Sequence, residues 1–256
     1  MENSKQPICI ADNVTKIYKL GFRKNLTANK NISLEINEGE TIGIVGESGS
    51  GKSTFGRQLV ALEHPTSGKI MYKGMDLSIE DNLKSVRTDI QMVFQETYAS
   101  LNPRKTVYQI LYEPMEYHGI ANKSNGKNEV ERLLKMSELP IEFADRYPDT
   151  LSGGQRQRVC IARALALRPR FVIWDEPVSA LDVTVSIQIL DLIKKLQKEL
   201  GITSVFIGHG IGEVAYVSER LAVMKDGKLV EIGTTDQIIN NPKHPYTQEL
   251  IKAARY

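Results

Sequence analysis

Glycine, serine and lysine residues are spaced for phosphate binding in the segment 46–54. The segment reads Gly46, Glu47, Ser48, Gly49, Ser50, Gly51, Lys52, Ser53, Thr54. It fits the pattern G-x-x-x-x-G-K-[ST], in which backbone N–H groups surround phosphates, the lysine reaches the terminal phosphates and the following hydroxyl holds Mg²⁺. The segment 40–45 predicts a buried strand, and residues 52–62 predict a helix whose N-terminus favours an anion. A Gly/Ser-rich surface turn is the alternative, but the flanking strand and helix favour a site for a nucleoside triphosphate.

Two adjacent carboxylates follow another apolar run. Residues 171–174 predict a buried strand, and Asp175 and Glu176 come directly after it. Neighbouring side chains on an extended chain point in different directions, so the two acids can serve different roles. We expect Asp175 to bind Mg²⁺ and Glu176 to act on an attacking water as a general base, which suits phosphoryl transfer. Two solvated acids at the end of a strand are the alternative.

A serine and two glycines form a second candidate anion site. The run is Leu151, Ser152, Gly153, Gly154, Gln155. It precedes a predicted helix, and a serine hydroxyl with unshielded glycine amides at a helix N-terminus can bind an anion. A simple Ser/Gly helix cap explains the same residues equally well, so this run alone leaves both interpretations open.

Several apolar runs end in polar residues, which predicts a parallel sheet with its ligand at one edge. The runs are 42–45, 90–94, 171–174 and 203–207. Strands that are apolar throughout are typical of parallel sheets buried on both faces, and ligands lie at the carboxyl ends of such strands. In an α/β fold of this kind, the phosphate loop, Gln95, the two acids and His209 would converge on one nucleotide.

An inserted helical subdomain is predicted at 97–150. Its amphipathic helices cover 106–118 and 128–139, with a polar, turn-rich stretch between them. A further helix is predicted over 183–200, with Gly201 as its end.

Antiparallel strands and turns are expected in the first forty residues and in 220–234, where Lys225 to Lys228 would form a hairpin tip. The predicted organisation is therefore a single domain with three parts. They are a core from 1–96 and 151–240 that includes the antiparallel β subdomain, the helical subdomain 97–150, and a C-terminal tail 241–256.

The composition is ordinary for a globular protein and excludes several functions. Of 256 residues, 41% are hydrophobic and 25% are charged. The net charge is +2 and no dense basic stripe is present, so nucleic acid is not an expected partner. Cys9 and Cys160 lie far apart, which argues for a reducing compartment and against a zinc site. Because no signal peptide or membrane-spanning run is visible, we expect a chain that is cytoplasmic or peripheral to a membrane.

Together these motifs resemble the nucleotide-binding subunits of ATP-binding cassette (ABC) transporters, over nearly the full length of the chain. In family order the chain has the phosphate loop, Gln95, the signature run 151–155, Asp175 with Glu176, the D-loop 179–182 and the switch His209. The resemblance implies an α/β P-loop NTPase cassette with a parallel core sheet, an antiparallel β subdomain and an inserted α-helical subdomain. It also implies that the chain hydrolyses ATP with Mg²⁺.

The resemblance further implies a role for each residue. The expected Mg²⁺ ligands are Ser53, Gln95 and Asp175, and the expected catalytic residues are Glu176, His209 and Gln95. Tyr18 matches the aromatic residue that stacks on adenine. Two cassettes of this family dimerise head to tail, so one subunit would contact the ATP of the other through Ser152, Gly153, Gly154, Gln155 and Asp182.

The segments 94–103, 178–185 and 241–247 resemble the dipeptide, oligopeptide and nickel importer branch of this family. That resemblance implies a second, different ATPase subunit, two membrane permeases and an extracytoplasmic substrate-binding protein. The chain would lie at the cytoplasmic face of the cell membrane and meet a permease helix near 95–102. Because it stops soon after Tyr246, its length favours the shorter nickel or metal-chelate members. The cargo stays open among peptide, nickel and metallophore.

One position departs from the branch. His209 is flanked by Gly208 and Gly210, where the branch usually has serine and aspartate, and two glycines add backbone freedom. This departure slightly favours a nucleotide-binding regulator without turnover. A cassette in DNA repair, chromosome or ribosome work is another alternative, which the single cassette with one short insertion opposes.

Overall fold

The computed structural model describes residues 7–21 and 25–254, with Thr97 and Tyr98 described by their backbone alone. The residues divide into two units: unit 1 lies within Met1–Arg87 and Ile202–Tyr256, and unit 2 within Thr88–Gly201. The strands are β1 (Pro7–Lys19), β2 (Asn25–Asn37), β3 (Thr41–Val45), β4 (Ser67–Tyr72), β5 (Met75–Asp76), β6 (Ile90–Val93), β7 (Phe171–Asp175), β8 (Thr203–Ile207), β9 (Arg220–Lys225) and β10 (Lys228–Thr234). The helices are α1 (Lys52–Leu59), α2 (Glu80–Val86), α3 (Thr97–Ser100), α4 (Val107–Tyr117), α5 (Gly126–Met136), α6 (Gly153–Leu165), α7 (Val183–Leu200), α8 (Ile211–Val217), α9 (Thr235–Asn240) and α10 (Pro245–Ala254).

An antiparallel sheet in unit 1 has the strand order β2-β1-β4-β5. Along β2, Ile32, Leu34 and Ile36 are buried and the residues between them are exposed. This period of two matches the pleat of a strand with one face on the core. The prediction of antiparallel strands near the N-terminus is confirmed.

The strand before the phosphate loop, β3, is buried along its whole length and pairs in parallel with β8 and β9. The bounds of β8 match the apolar run 203–207. The hairpin between β9 and β10 turns at Asp226 and Gly227, which have φ of +49° and +75°. The sequence predicts this hairpin but not the parallel pairing of β9 with β3.

Unit 2 contains the parallel pair β6 and β7, in which Val93 lies opposite the fully buried Trp174. Helix α6 packs against β6 and contacts α4, α5 and α7. Helix α7 has the predicted bounds and ends at Gly201, which adopts the left-handed conformation with φ of +64°. Short 3₁₀ turns at Ile141–Asp145 and Pro148–Thr150 complete the segment before α6.

These elements make an α/β fold with parallel strands and an antiparallel β part, as predicted. Helix α1 ends at Leu59, earlier than predicted, because the chain turns at Ala61 with φ of +51°. In the part of the chain that the structure describes, we find no helix with the length and apolar character needed to cross a membrane.

Candidate active site

The phosphate loop of unit 1 connects β3 to α1 and requires glycine at both of its ends. Gly46 has φ of +152°, and a Cβ there would lie 2.1 Å from the carbonyl oxygen of Met224. Gly51 caps α1 with φ of +96°, and a Cβ there would lie 2.2 Å from the carbonyl oxygen of Ala28. Both neighbours are backbone atoms that cannot move aside, so neither position accepts a side chain.

The side chain of Lys52 reaches back across this loop. It is only 4% exposed, and its Nζ donates hydrogen bonds to the carbonyl oxygens of Gly46 at 2.8 Å and Glu47 at 2.9 Å. An ammonium group has three donors, of which the loop carbonyls use two. The positive charge is therefore held inside the loop, where backbone N–H groups and the N-terminus of α1 also favour an anion.

Residues distant in sequence hold the loop in place. The Nδ2 of buried Asn29 donates to the Gly51 carbonyl at 3.0 Å, and the N–H of Gly227 donates to the Ser50 carbonyl at 3.1 Å. The hydroxyl of Tyr246 accepts a hydrogen bond of 3.0 Å from the N–H of Glu47. No local pattern in the sequence signals these supports: it predicts Gly227 only as part of a hairpin tip, and Tyr246 only as part of a segment that resembles a family branch.

Tyr18 contacts the first turn of α1, which directly follows the loop. Its hydroxyl donates to the Glu63 carboxylate and also interacts with Thr54, in the first turn of α1. Burial, and then the hydrogen bond to Glu63, raise the pKa of Tyr18. Glu63 in turn is paired with Arg57 at 2.7 Å. The structure thus brings Tyr18 to the loop, while its stacking on adenine stays a prediction.

In unit 2, Asp175 ends β7 and Glu176 follows it, and both candidate acids are buried. Asp175 is 3% exposed and Glu176 is 6% exposed. Glu176 has φ of +49°, a left-handed conformation that is uncommon for a residue with a side chain. The carbonyl of Glu176 accepts hydrogen bonds from the N–H and hydroxyl of Ser179, at 3.3 and 3.1 Å. Strained backbone of this kind clusters at functional sites, which makes Glu176 a functional candidate on structural grounds.

Gln95 and Glu176 meet in unit 2. The Nε2 of Gln95, which follows β6, donates a hydrogen bond of 2.7 Å to Oε2 of Glu176. Sequence analysis gave Gln95 a role toward the metal and in catalysis, without a partner among the protein's own side chains. The structure adds that this amide orients the candidate general base.

The signature run caps α6 by a reciprocal pair of hydrogen bonds. The hydroxyl of Ser152 accepts from the N–H of Gln155 at 3.3 Å, and the Gln155 side chain accepts from the N–H of Ser152 at 3.0 Å. A Cβ on Gly154 would lie 2.5 Å from Cγ1 of Val185, in the first turn of α7. Asp182 caps α7 by accepting from the N–H of Val185 at 3.0 Å. The signature turn and Asp182 are therefore neighbours in unit 2.

His209 is exposed and lies just before α8 in unit 1. A Cβ on Gly208 would lie 2.6 Å from Cγ2 of Val214, and a Cβ on Gly210 would lie 3.3 Å from Cδ of Glu213. Side chains of α8 therefore lie close to both glycines beside the histidine, and they lie closest at Gly208. Burial raises the pKa of Glu213, and the nearby charge of His209 opposes that shift.

The candidate Mg²⁺ ligands are all oxygen donors, which suits this ion. Asp175 offers a carboxylate, Ser53 a hydroxyl in the first turn of α1, and Gln95 an amide oxygen. Mg²⁺ usually takes one or two carboxylates together with substrate phosphates. Within the described residues, no group of three or more His, Cys, Asp and Glu side chains is placed to hold a metal ion. The chemistry of each of these three donors, taken by itself, fits Mg²⁺.

Comparisons with known proteins identify the family. Residues 29–179 match the ABC transporter family, and residues 230–255 match the C-terminal region of oligopeptide/dipeptide transporters. The chain is 48% identical to the oligopeptide transport ATP-binding protein AppF of Bacillus subtilis, over 87% of this chain and 68% of that protein. It is 46% identical to the dipeptide transport ATP-binding protein DppF of Escherichia coli, over 97% of this chain and 77% of that protein.

Solved structures agree with this match. The dimeric bacterial ABC transporter cassette MJ0796 is 37% identical, with a TM-score of 0.81 over 89% of this chain and 98% of that chain. The same cassette in a post-hydrolysis dimer bound to ADP and Pi gives a TM-score of 0.80, with the same identity and coverage.

The chain therefore belongs to the ABC transporter family and is an ATP-hydrolysing cassette. Its C-terminal segment and its relatives assign it to the oligopeptide/dipeptide branch, as the motifs had indicated. The names of these relatives refer to transport, so they favour the transport function over the alternative role in DNA repair, chromosome or ribosome work.

Proposed function

We infer that this chain is the ATP-hydrolysing subunit of an ABC importer for peptides. The observation that carries this proposal is the phosphate loop of unit 1, in which Lys52 is buried and fixed by the Gly46 and Glu47 carbonyls. Such a loop is built to surround phosphates with N–H donors and one positive charge. The segment 46–54 is accordingly the proposed ATP-binding segment, and Tyr18 is the residue proposed to stack on the adenine ring.

The proposed roles in hydrolysis are assigned residue by residue. Glu176 is the proposed general base, because it is a buried carboxylate on strained backbone with its orientation fixed by Gln95. Mg²⁺, held by Ser53, Asp175 and Gln95, would neutralise charge on the β- and γ-phosphates. His209, exposed before α8, is the proposed switch that senses the γ-phosphate.

The proposed ATP site is completed by a second cassette. Ser152 is exposed at the N-terminus of α6, and Gly153 and Gly154 leave the backbone amides there uncovered. A helix N-terminus with a serine hydroxyl favours an anion, and the γ-phosphate of a partner's ATP is the proposed one. Gln155 and Asp182 would contact the same nucleotide. The expected partner is a different, homologous ATPase subunit.

A cavity in unit 2 is the proposed docking site for a permease. It has a volume of about 620 Å³, and its lining includes Met92, Phe94, Glu96, Arg163 and Leu167. Phe94 is 37% exposed, and the lining combines apolar side chains with both charges, as suits a short amphipathic helix. This contact would place the chain at the cytoplasmic face of the membrane, with two permeases and, indirectly, an extracytoplasmic substrate-binding protein.

Peptides are the proposed cargo, because the relatives named above are oligopeptide and dipeptide transport proteins. Nickel or a metal chelate, which the chain length had favoured, has no support from these relatives.

Reconstitution tests the proposal. The chain would be assembled in proteoliposomes with both permeases, the second ATPase subunit and the substrate-binding protein, and phosphate release would be measured. We expect peptide-loaded binding protein to stimulate release, and Lys52→Ala to abolish it while Lys198→Ala, an exposed change on α7, leaves it intact. Stimulation by a nickel complex instead of peptide would refute the cargo, and binding of ATP without any release would favour a regulator.

A further inference from the structure

The hydroxyl of Tyr246 contacts the phosphate loop of unit 1. Tyr246 belongs to the first turn of α10 and is 4% exposed. Its hydroxyl accepts a hydrogen bond of 3.0 Å from the N–H of Glu47, and the Nζ of Lys225 lies 4.4 Å from its ring centroid. The residue thus contacts both the loop and the strand that leads to the hairpin tip.

Tyr246 and Lys52 hold the same peptide group from opposite sides. The carbonyl of Gly46 and the N–H of Glu47 belong to one peptide unit, which is planar and trans. Its carbonyl accepts from Lys52 Nζ at 2.8 Å, and its N–H donates to Tyr246 at 3.0 Å. In a planar trans peptide these two groups point in opposite directions, so fixing the N–H also fixes the direction of the carbonyl.

The hydroxyl of Tyr246 is itself held in place by the turn before α10. The carboxylate of Glu231 accepts from the N–H groups of Lys243 and His244, at 2.8 and 3.0 Å. The N–H of Tyr246 donates to Nδ1 of His244 at 3.2 Å. Helix α10 also packs against α8, the helix that follows His209. These contacts order the backbone of the turn that carries Tyr246. The hydroxyl of Tyr246 therefore reaches the N–H of Glu47 from an ordered segment.

We propose that Tyr246 is a positioning residue for nucleotide binding, which sets the direction of the Gly46 carbonyl and through it the place of the Lys52 ammonium. This role rests on the proposed binding of phosphates by the loop 46–54. Without the hydroxyl, the peptide between Gly46 and Glu47 can rotate, and the loop must be ordered anew whenever phosphates bind. The C-terminal segment is thereby a part of the nucleotide site.

The test compares Tyr246→Phe with Tyr117→Phe, a change at a residue that is 85% exposed. Dissociation constants for ATP and ADP are measured on the full chain, together with hydrogen exchange of the Glu47 amide and the melting temperature without nucleotide. We expect Tyr246→Phe to weaken the binding of both nucleotides roughly 2- to 10-fold, the range for one lost hydrogen bond. We also expect faster exchange at Glu47, and no change in any measurement for Tyr117→Phe.

Several results would overturn this role. They are an unchanged affinity despite faster exchange at Glu47, an equal loss in Tyr117→Phe, and a melting temperature lower by more than about 5 °C, which would indicate a general effect on the fold. Lys52→Ala separates the two proposals. If it binds ATP as well as the unchanged chain does, the proposed function of the loop fails; if it loses ATP while Tyr246→Phe keeps it, only the role of Tyr246 fails.

Discussion

The side-chain amide of Gln95 donates a 2.7 Å hydrogen bond to the carboxylate of Glu176, so residues that follow two neighbouring parallel strands meet at their carboxyl ends. Gln95 stands between Phe94 and Glu96, which line the cavity proposed for a permease. A helix that enters this cavity and shifts residues 94–96 would therefore move the partner of the proposed general base. The hydrogen bond from Gln95 to Glu176 would thus connect the docking of a permease with hydrolysis.

Replacing Glu176 with Gln should stop hydrolysis and keep binding. The amide has the shape of the carboxylate and can still accept from Gln95, but it cannot take a proton from water. We expect kcat to fall roughly 10²- to 10⁴-fold, the usual contribution of a general base, with the ATP dissociation constant little changed. A closed dimer should accumulate with ATP and be visible by size-exclusion chromatography. Unchanged turnover would remove Glu176 from the mechanism.

Gln95→Ala tests whether Gln95 acts through Glu176. We expect the single change to lower kcat roughly tenfold or more in the assembled transporter, because the carboxylate loses its orienting donor. In a Glu176→Gln background the same change should have little effect, since residues that act as a unit are not additive. Equal effects in both backgrounds would show that Gln95 works independently of Glu176.

Gly51→Ala should disrupt the phosphate loop. The new Cβ would lie 2.2 Å from the backbone oxygen of Ala28, in addition to the strain of a φ of +96°. We expect a loss of about 3 kcal/mol in unfolding free energy, measured with urea, and loss of nucleotide binding. Gly74→Ala is the matched control, because its φ is +76° but nothing lies within 4 Å of the added Cβ. That control should cost about 1 kcal/mol and keep binding.

Gly154→Ala should separate the signature turn from α7, because its Cβ would lie 2.5 Å from Val185. We expect a lower melting temperature and weaker ATP-dependent dimerisation, with a cost of about 1–3 kcal/mol. Val185→Ala in the same chain should restore much of both. Gly212→Ala, within α8 and with no atom near its added Cβ, should instead leave stability unchanged or slightly higher. Failure of the double variant to recover would refute the steric explanation.

The turn that carries Tyr246 should weaken in acid through Glu231. Burial acts to raise the pKa of Glu231, but hydrogen bonds, among them those from the N–H groups of Lys243 and His244, lower it below its ordinary value of 4.5. A lowered pKa means that the carboxylate stabilises the fold above pH 4.5, and this contribution is lost as pH falls through the folded value.

We therefore expect Glu231→Gln to lower the melting temperature at pH 7 by about 2 °C, and the difference to shrink at acid pH, as the pH falls below 4.5. Glu249→Gln, an exposed change on α10, should show no such difference at either pH. A difference that stays constant with pH would show that the carboxylate charge is not the cause.

Local patterns predicted the elements well, because they depend on neighbours in the chain. The apolar run 203–207 and the helix 183–200 with its terminal Gly201 need no distant contact to be recognised. Long-range hydrogen bonds have no such signal. The bonds from Gly227 and Tyr246 to the phosphate loop join residues far apart in sequence, and the pairing of β9 with β3 does the same. The roles of the candidate site residues stay predictions for the experiments above.

The left-handed backbone at Glu176 bears on how this chain would evolve in the laboratory. Holding a buried glutamate at φ of +49° costs on the order of 1 kcal/mol, which glycine or asparagine would largely relieve. Variants selected only for heat resistance should therefore drift to one of these residues at position 176. Variants selected for peptide uptake should keep glutamate and gain their stability elsewhere.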